Sequence, residues 1–115
     1  MKTPVESIIM FTVAALVGAV GQFLYKSGAD ASDGSVGGYL LNARILGGVG
    51  CYVAVMILFV AAFKRGGELA VLYPIYASTF IWGALIALLA YRTPITPTNI
   101  AGMLALVVGM YLMGR

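Results

Sequence analysis

Six residues in this chain have the chemistry to hold a polar cargo: Gln22, Lys26, Tyr73, Tyr76, Ser78 and Trp82. Four of them fall in the stretch 69–91, LAVLYPIYASTFIWGALIALLAY, which carries no charged residue. It is long enough to cross a bilayer as a helix. Its first half is crowded with aromatic and hydroxyl side chains, while its second half is almost pure Ala, Leu and Ile. A segment that only had to sit in lipid needs no such cluster, so the polar-aromatic half is expected to face protein or a cavity. Pro74 leaves the carbonyl of Ala70 without its usual partner, which frees an acceptor and bends the helix. A kink with hydroxyls at membrane depth is how transporters build binding sites. The bland alternative is an aromatic core around a harmless kink.

Gln22 and Lys26 belong to an earlier apolar stretch. Gly18, Gly21, Gln22 and Tyr25 are three or four residues apart and share one helix face. Small residues let helices approach closely, and a buried Gln can bond across the contact. Gln22 is therefore either the glue of a helix seam or, with Lys26 one turn later, part of a substrate path. Lys26 either snorkels to the interface or binds an anionic headgroup, with Asp30 and Asp33 close enough in sequence to neutralise it. Glu68 is the only acid next to the third apolar stretch.

Catalytic chemistry is not expected. The chain has no His, which excludes a Ser-His-Asp triad, a His metal site and a His proton switch. The one cysteine, Cys51, lies in an apolar run and reads as a packing residue. No nucleophile–base or paired-acid arrangement is present. We expect no enzyme, no metal and no cofactor.

The elements that must position these side chains follow from composition. Hydrophobic residues are 62% of the 115 and charged ones 10%, against about 25% charged in soluble domains. The mean hydropathy is +1.01. A net charge of +3 without a basic stripe argues against nucleic acid and fits a mild attraction to anionic membrane lipids. The expected fold is an all-α membrane protein, a single domain of four transmembrane helices over about 7–25, 45–63, 69–91 and 98–113. Spanning segments must satisfy their backbone internally, which leaves helices as the option. Residues 27–42, rich in Gly, Ala, Ser and Asp, read as a loop, and Thr96 before Pro97 reads as an N-cap with a first-turn proline. Four spans put both termini on one side. Lys2, Lys64, Arg65 and Arg115 against Lys26, Arg44 and Arg92 give a slight bias for cytoplasmic termini. On the last span Gly102, Ala105 and Gly109 share a face suited to contact between subunits.

Three segments carry a family resemblance: GQFLYK (21–26), AVLYPIYASTFIW (70–82) and TPITPTNIAGMLALVVGMYLMG (93–114). Together they resemble four-helix members of the drug/metabolite transporter superfamily. The likeness is strongest to the small subunits of the aminoarabinose–undecaprenyl-phosphate flippase, which have a similar GQ-x3-K end to the first helix and a similar AYP-x2-S-x2-F-x-W third helix. It covers nearly the whole chain apart from 27–42. The small multidrug resistance exporters are more distantly similar. Their essential first-helix glutamate would fall at Gly18, their membrane-embedded tyrosine matches Tyr73, their adjacent tryptophan position is filled by Tyr76, and their last-helix glycine pair matches Gly102 and Gly109. Where many superfamily members have Gly-Glu before the last helix, this chain has Arg92-Thr93. The resemblance implies a bacterial inner-membrane flippase that works as a homodimer or heterodimer. Its task would be lipid transport, moving a polyprenyl-phosphate-linked sugar or similar amphiphile past Gln22, Lys26, Tyr73, Tyr76, Ser78 and Trp82. The rival expectations are an exporter of small cations or metabolites, which needs an acid in the path, and a non-transporting subunit that stabilises a partner.

Overall fold

The computed structural model describes residues 3–114, and those residues form helices and connections with no strand among them. The order is α1 (Val5–Ala31), α2 (Val36–Leu40), α3 (Ala43–Lys64), α4 (Leu69–Tyr76), α5 (Thr79–Tyr91) and α6 (Pro97–Met113). α4 and α5 are the two halves of the polar-aromatic stretch. By length and composition α1, α3 and the α4–α5 rod can each cross a bilayer, and α6 is a shorter apolar helix.

Local rules set the helix ends. The Asn42 Oδ1 accepts from the backbone N–H of Arg44 at 2.9 Å and of Ile45 at 3.3 Å, satisfying donors that the first turn of α3 leaves orphaned. The same side chain donates through Nδ2 to the carbonyl of Gly28 at 3.0 Å, so one residue caps α3 and fastens it to the end of α1. α3 ends at Lys64, and the chain turns away at Gly66, whose φ of +102° suits a residue without Cβ. The Gly67 and Gly66 N–H groups then bond back to Ala62 and Phe63 at 3.2 and 3.0 Å, the paired closure common at helix C-termini. α6 opens with Thr96 and Asn99 in a reciprocal capping box and Pro97 in its first turn.

Two features depart from a plain reading of composition. Residues 27–31 are helical, because α1 runs on to Ala31. Lys26 and Asp30, four apart and paired at 3.0 Å, support that extra turn. Within the remainder, Ser35 caps the short α2. The α4–α5 rod is interrupted at Ala77 and Ser78, just after Pro74. There the N–H groups of Ala77, Ser78 and Phe80 reach only three residues back, at 3.0 to 3.1 Å, a tightened 3₁₀-type turn.

α1 is the hub. It packs along α3 on one side and against α4 and α5 on the other, while α6 lies against α4. The α1–α3 contact has two different halves. Toward the N-terminus of α1 it is aromatic: Phe11 is fully buried, stacked on Phe59 at 4.3 Å and edge-on to Phe63 at 5.3 Å. Leu72 joins this core from α4, Ser7 donates to the carbonyl of Ala62 at 2.8 Å, and Glu6 pairs with Arg65. Toward the other end the backbones approach directly. A Cβ at Gly21 would meet the Tyr52 ring at 2.9 Å, and one at Gly48 would meet the Tyr25 ring at 2.6 Å. Tyr25 and Tyr52 stack at 5.5 Å across that seam.

The molecule measures 49 × 36 × 18 Å. A helix with its side chains is about 10–12 Å wide, so the helices stand in a shallow row rather than a closed bundle. Accordingly, among the described residues α5 and α6 contain no buried residue.

Candidate functional site

The hollow that holds Gln22 and Lys26 lies between α1 and α5 and has a volume of about 450 Å³. α1 supplies Ala19, Gln22, Phe23 and Lys26, spaced so that they share a face. α5 supplies Gly83, Ile86, Ala87 and Tyr91, and Thr93 closes the end. Gly83 makes room: nothing lies within 4 Å of where its Cβ would stand.

The polar groups of this hollow are held by neighbouring side chains. The Lys26 Nζ donates to both carboxylate oxygens of Asp30 at 3.0 Å and stands 5.7 Å from the centroid of the Tyr91 ring, within cation–π range. A carboxylate and an aromatic face therefore fix the ammonium at the mouth. The Gln22 Nε2 donates to the Tyr52 hydroxyl at 2.7 Å, and that hydroxyl donates to the carbonyl of Gly18 at 3.2 Å. Tyr52 thus orients Gln22 from the neighbouring helix, and the amide keeps its carbonyl and its second N–H for a cargo. Nearby, Arg44 donates to the Ser27 hydroxyl at 2.7 Å.

Ser78 and Trp82 sit elsewhere. They line a second hollow of about 450 Å³ between α1, the α4–α5 rod and α6, with Ile8, Thr12, Ile75 and Tyr111 among its other walls. Both the Ser78 Oγ and the Trp82 Nε1 are buried atoms without a hydrogen-bond partner. Tyr76 stands in the core, edge-on to Phe59 at 4.9 Å and against Gly18. Tyr73 lines neither hollow and is 62% exposed.

The six residues singled out from sequence therefore fall into two pairs, one core tyrosine and one outward tyrosine. The tight turn at Ala77 and Ser78 separates Tyr73 and Tyr76 on α4 from Phe80 and Gly83 on α5. Phe80 is 68% exposed, while Gly83 reaches the first hollow. Gly102, Ala105 and Gly109 lie along a shallow groove facing Pro74 and Ala77, with open space over both glycines. Of the charges used for orientation, Lys64 and Arg65 lie at the end of α3 beside the start of α1, and Lys2 and Arg115 lie outside the described residues. Tyr91 and Thr93 were not singled out from sequence, and Tyr52 reads there only as a residue able to reach a polar partner that nothing requires. A lone mid-span tyrosine opposite a glycine-rich face was the one signal for Tyr52.

Comparison with protein-family models, with curated proteins and with solved structures finds no match. The geometry defines an all-helical, strongly apolar chain with two lateral hollows beside one central helix.

Proposed function

We propose that this protein is a four-helix membrane transporter of flippase type, which carries an amphiphile with an anionic headgroup across a bacterial inner membrane. A polyprenyl-phosphate-linked sugar is the cargo that the family resemblance favours, and a dimer is the assembly. The observation that supports this reading best is the hollow between α1 and α5. It carries one ammonium, one amide and no carboxylate on its lining, which suits an anion and disfavours a small cation. The hollow is flanked by apolar surface, so a lipid tail can stay in hydrocarbon while only the headgroup is sheltered.

Reconstituted proteoliposomes loaded with farnesyl phosphate in the outer leaflet test this. Movement is read as loss of the phosphate's accessibility to external phosphatase. Wild-type protein is expected to accelerate that loss over empty liposomes. Lys26→Ala and Gln22→Ala are expected to slow it at least about tenfold, the loss of one or two charge-assisted contacts. Rates unchanged in both variants would remove the site.

A further inference from the structure

The second hollow asks for a different ligand chemistry from the first. Trp82 Nε1 can only donate, and it is buried with no acceptor. Ser78 is four residues earlier, so the two side chains share a face. A helical serine ordinarily donates to the carbonyl four residues back. Here the Ser78 hydroxyl makes no such bond and is left without a partner. Thr12, on the opposite wall, is engaged with the carbonyl of Ile8 at 2.8 Å. The walls carry no Lys, Arg, Asp or Glu. An unpartnered donor at Trp82 beside an unpartnered hydroxyl, on walls without a charge, favours an uncharged acceptor, because an anion would find no countercharge there.

Depth narrows the choice further. Ser78 is nine residues beyond Leu69, about 14 Å into the rod at 1.5 Å per residue, hence near its middle. At that level bulk lipid offers hydrocarbon and no acceptor. Position along α1 ties the two hollows together. Ile8 and Thr12 of the second hollow lie on the same stripe of α1 as Ala19, Gln22 and Lys26 of the first. Ala15, fully buried, closes that stripe between them. Thr12 and Lys26 are about 21 Å apart along the axis.

We propose that the Ser78–Trp82 hollow is a second binding station on the same side of α1, which takes an uncharged hydroxyl, ether or carbonyl oxygen of the amphiphile's polar head. The division of labour, with Lys26 taking the anionic part, rests on the flippase reading above. The station itself does not.

Trp82 is the only tryptophan in the chain, so its fluorescence reports this hollow alone. The full chain in lipid nanodiscs is titrated with decyl glucoside, an uncharged amphiphile rich in acceptors, and with decane, which has none. Decyl glucoside is expected to change Trp82 emission saturably and decane without saturation. Ser78→Ala should weaken the glucoside half-saturation about fivefold, the loss of one neutral hydrogen bond, with Ser78→Thr restoring it. Unchanged helical circular dichroism in Ser78→Ala ensures that a lost contact, not a lost fold, is read. Identical, non-saturating responses to glucoside and decane overturn the station, as does a Ser78→Ala titration that matches wild type. Saturable glucoside binding alongside wild-type protein that moves farnesyl phosphate no faster than empty liposomes would sink the flippase reading and leave the station standing.

Discussion

The Tyr76 hydroxyl stands in the space that a side chain at Gly18 would occupy. Tyr52 reaches the same point from α3, donating to the Gly18 carbonyl at 3.2 Å. Gly18 is also where the resemblance to small multidrug exporters would put their glutamate. Two phenols from two helices fill that place, so the polar centre of this chain is made of uncharged hydroxyls. The Tyr76 ring cannot swing aside freely, because Phe59 holds it edge-on at 4.9 Å. Gly18→Ala is therefore expected to overpack the junction and cost about 1–3 kcal/mol. Adding Tyr76→Phe should recover most of the loss. Thermal unfolding in detergent reads both, and a Gly18→Ala protein that melts with wild type contradicts the packing described.

Tyr52 is a positioning residue rather than part of the lining. Its hydroxyl accepts from Gln22 and donates to Gly18. Tyr52→Phe is expected to weaken binding of farnesyl phosphate about fivefold, because Gln22 is no longer held. On that background Gln22→Ala should add little, since residues acting through one another are not additive. Fully additive losses would show that the tyrosine supports the fold alone.

These two predictions show what could be read from residues alone. Gln22, Lys26, Ser78 and Trp82 were legible because polar groups are conspicuous in an apolar chain. Their grouping was not. Which residues share a hollow depends on how far the turn at Ala77 and Ser78 rotates α5 against α4, and Pro74 announces a bend without its angle. The helical turn from Ser27 to Ala31 was hidden because composition there favours loop, while the Lys26–Asp30 pair that supports it acts over four residues. Thr96, Asn99 and Pro97 were readable because a cap is a local motif. Tyr52 escaped because its importance lies in two partners 30 and 34 residues away.

Arg92 takes a left-handed conformation with φ of 55°, the region where a Cβ crowds the following carbonyl. By resemblance this is the place where many superfamily members carry glycine. Arg92→Gly is expected to relieve the strain and raise stability by up to about 1 kcal/mol. Arg92→Val should lower it, because a β-branched residue tolerates that region least. Paired melting curves decide, and a destabilised Arg92→Gly would mean that the guanidinium contributes more than the strain costs.

The connection after α1 should respond to acid. The Asp33 carboxyl accepts from the Ser35 hydroxyl at 2.7 Å and the Ser35 N–H at 2.9 Å, which hold its pKa below the ordinary 3.8. A carboxyl depressed in the folded state stabilises above its unfolded pKa, and that contribution fades as pH falls through the folded value. Order in 33–38 should therefore persist at pH 5 and loosen below pH 3.8. Ser35→Ala should move the Asp33 midpoint back up. Carboxyl NMR titration measures it, and a midpoint indifferent to Ser35→Ala removes the cause given.

Lys26 is already paired, and this shapes how it would receive an anion. Its Nζ lies 3.0 Å from both oxygens of Asp30, with both side chains more than half exposed. An exposed pair of this kind contributes little, because water screens it, so an incoming phosphate can displace the carboxylate at small cost. Asp30→Asn removes the competitor while keeping the shape. It is expected to tighten farnesyl phosphate binding by up to about fivefold at low salt. The gain should shrink as salt is raised, because exposed charges are screened. If Asp30→Asn weakens binding instead, the carboxylate serves to aim the ammonium into the hollow, and the anion must bind with the pair intact.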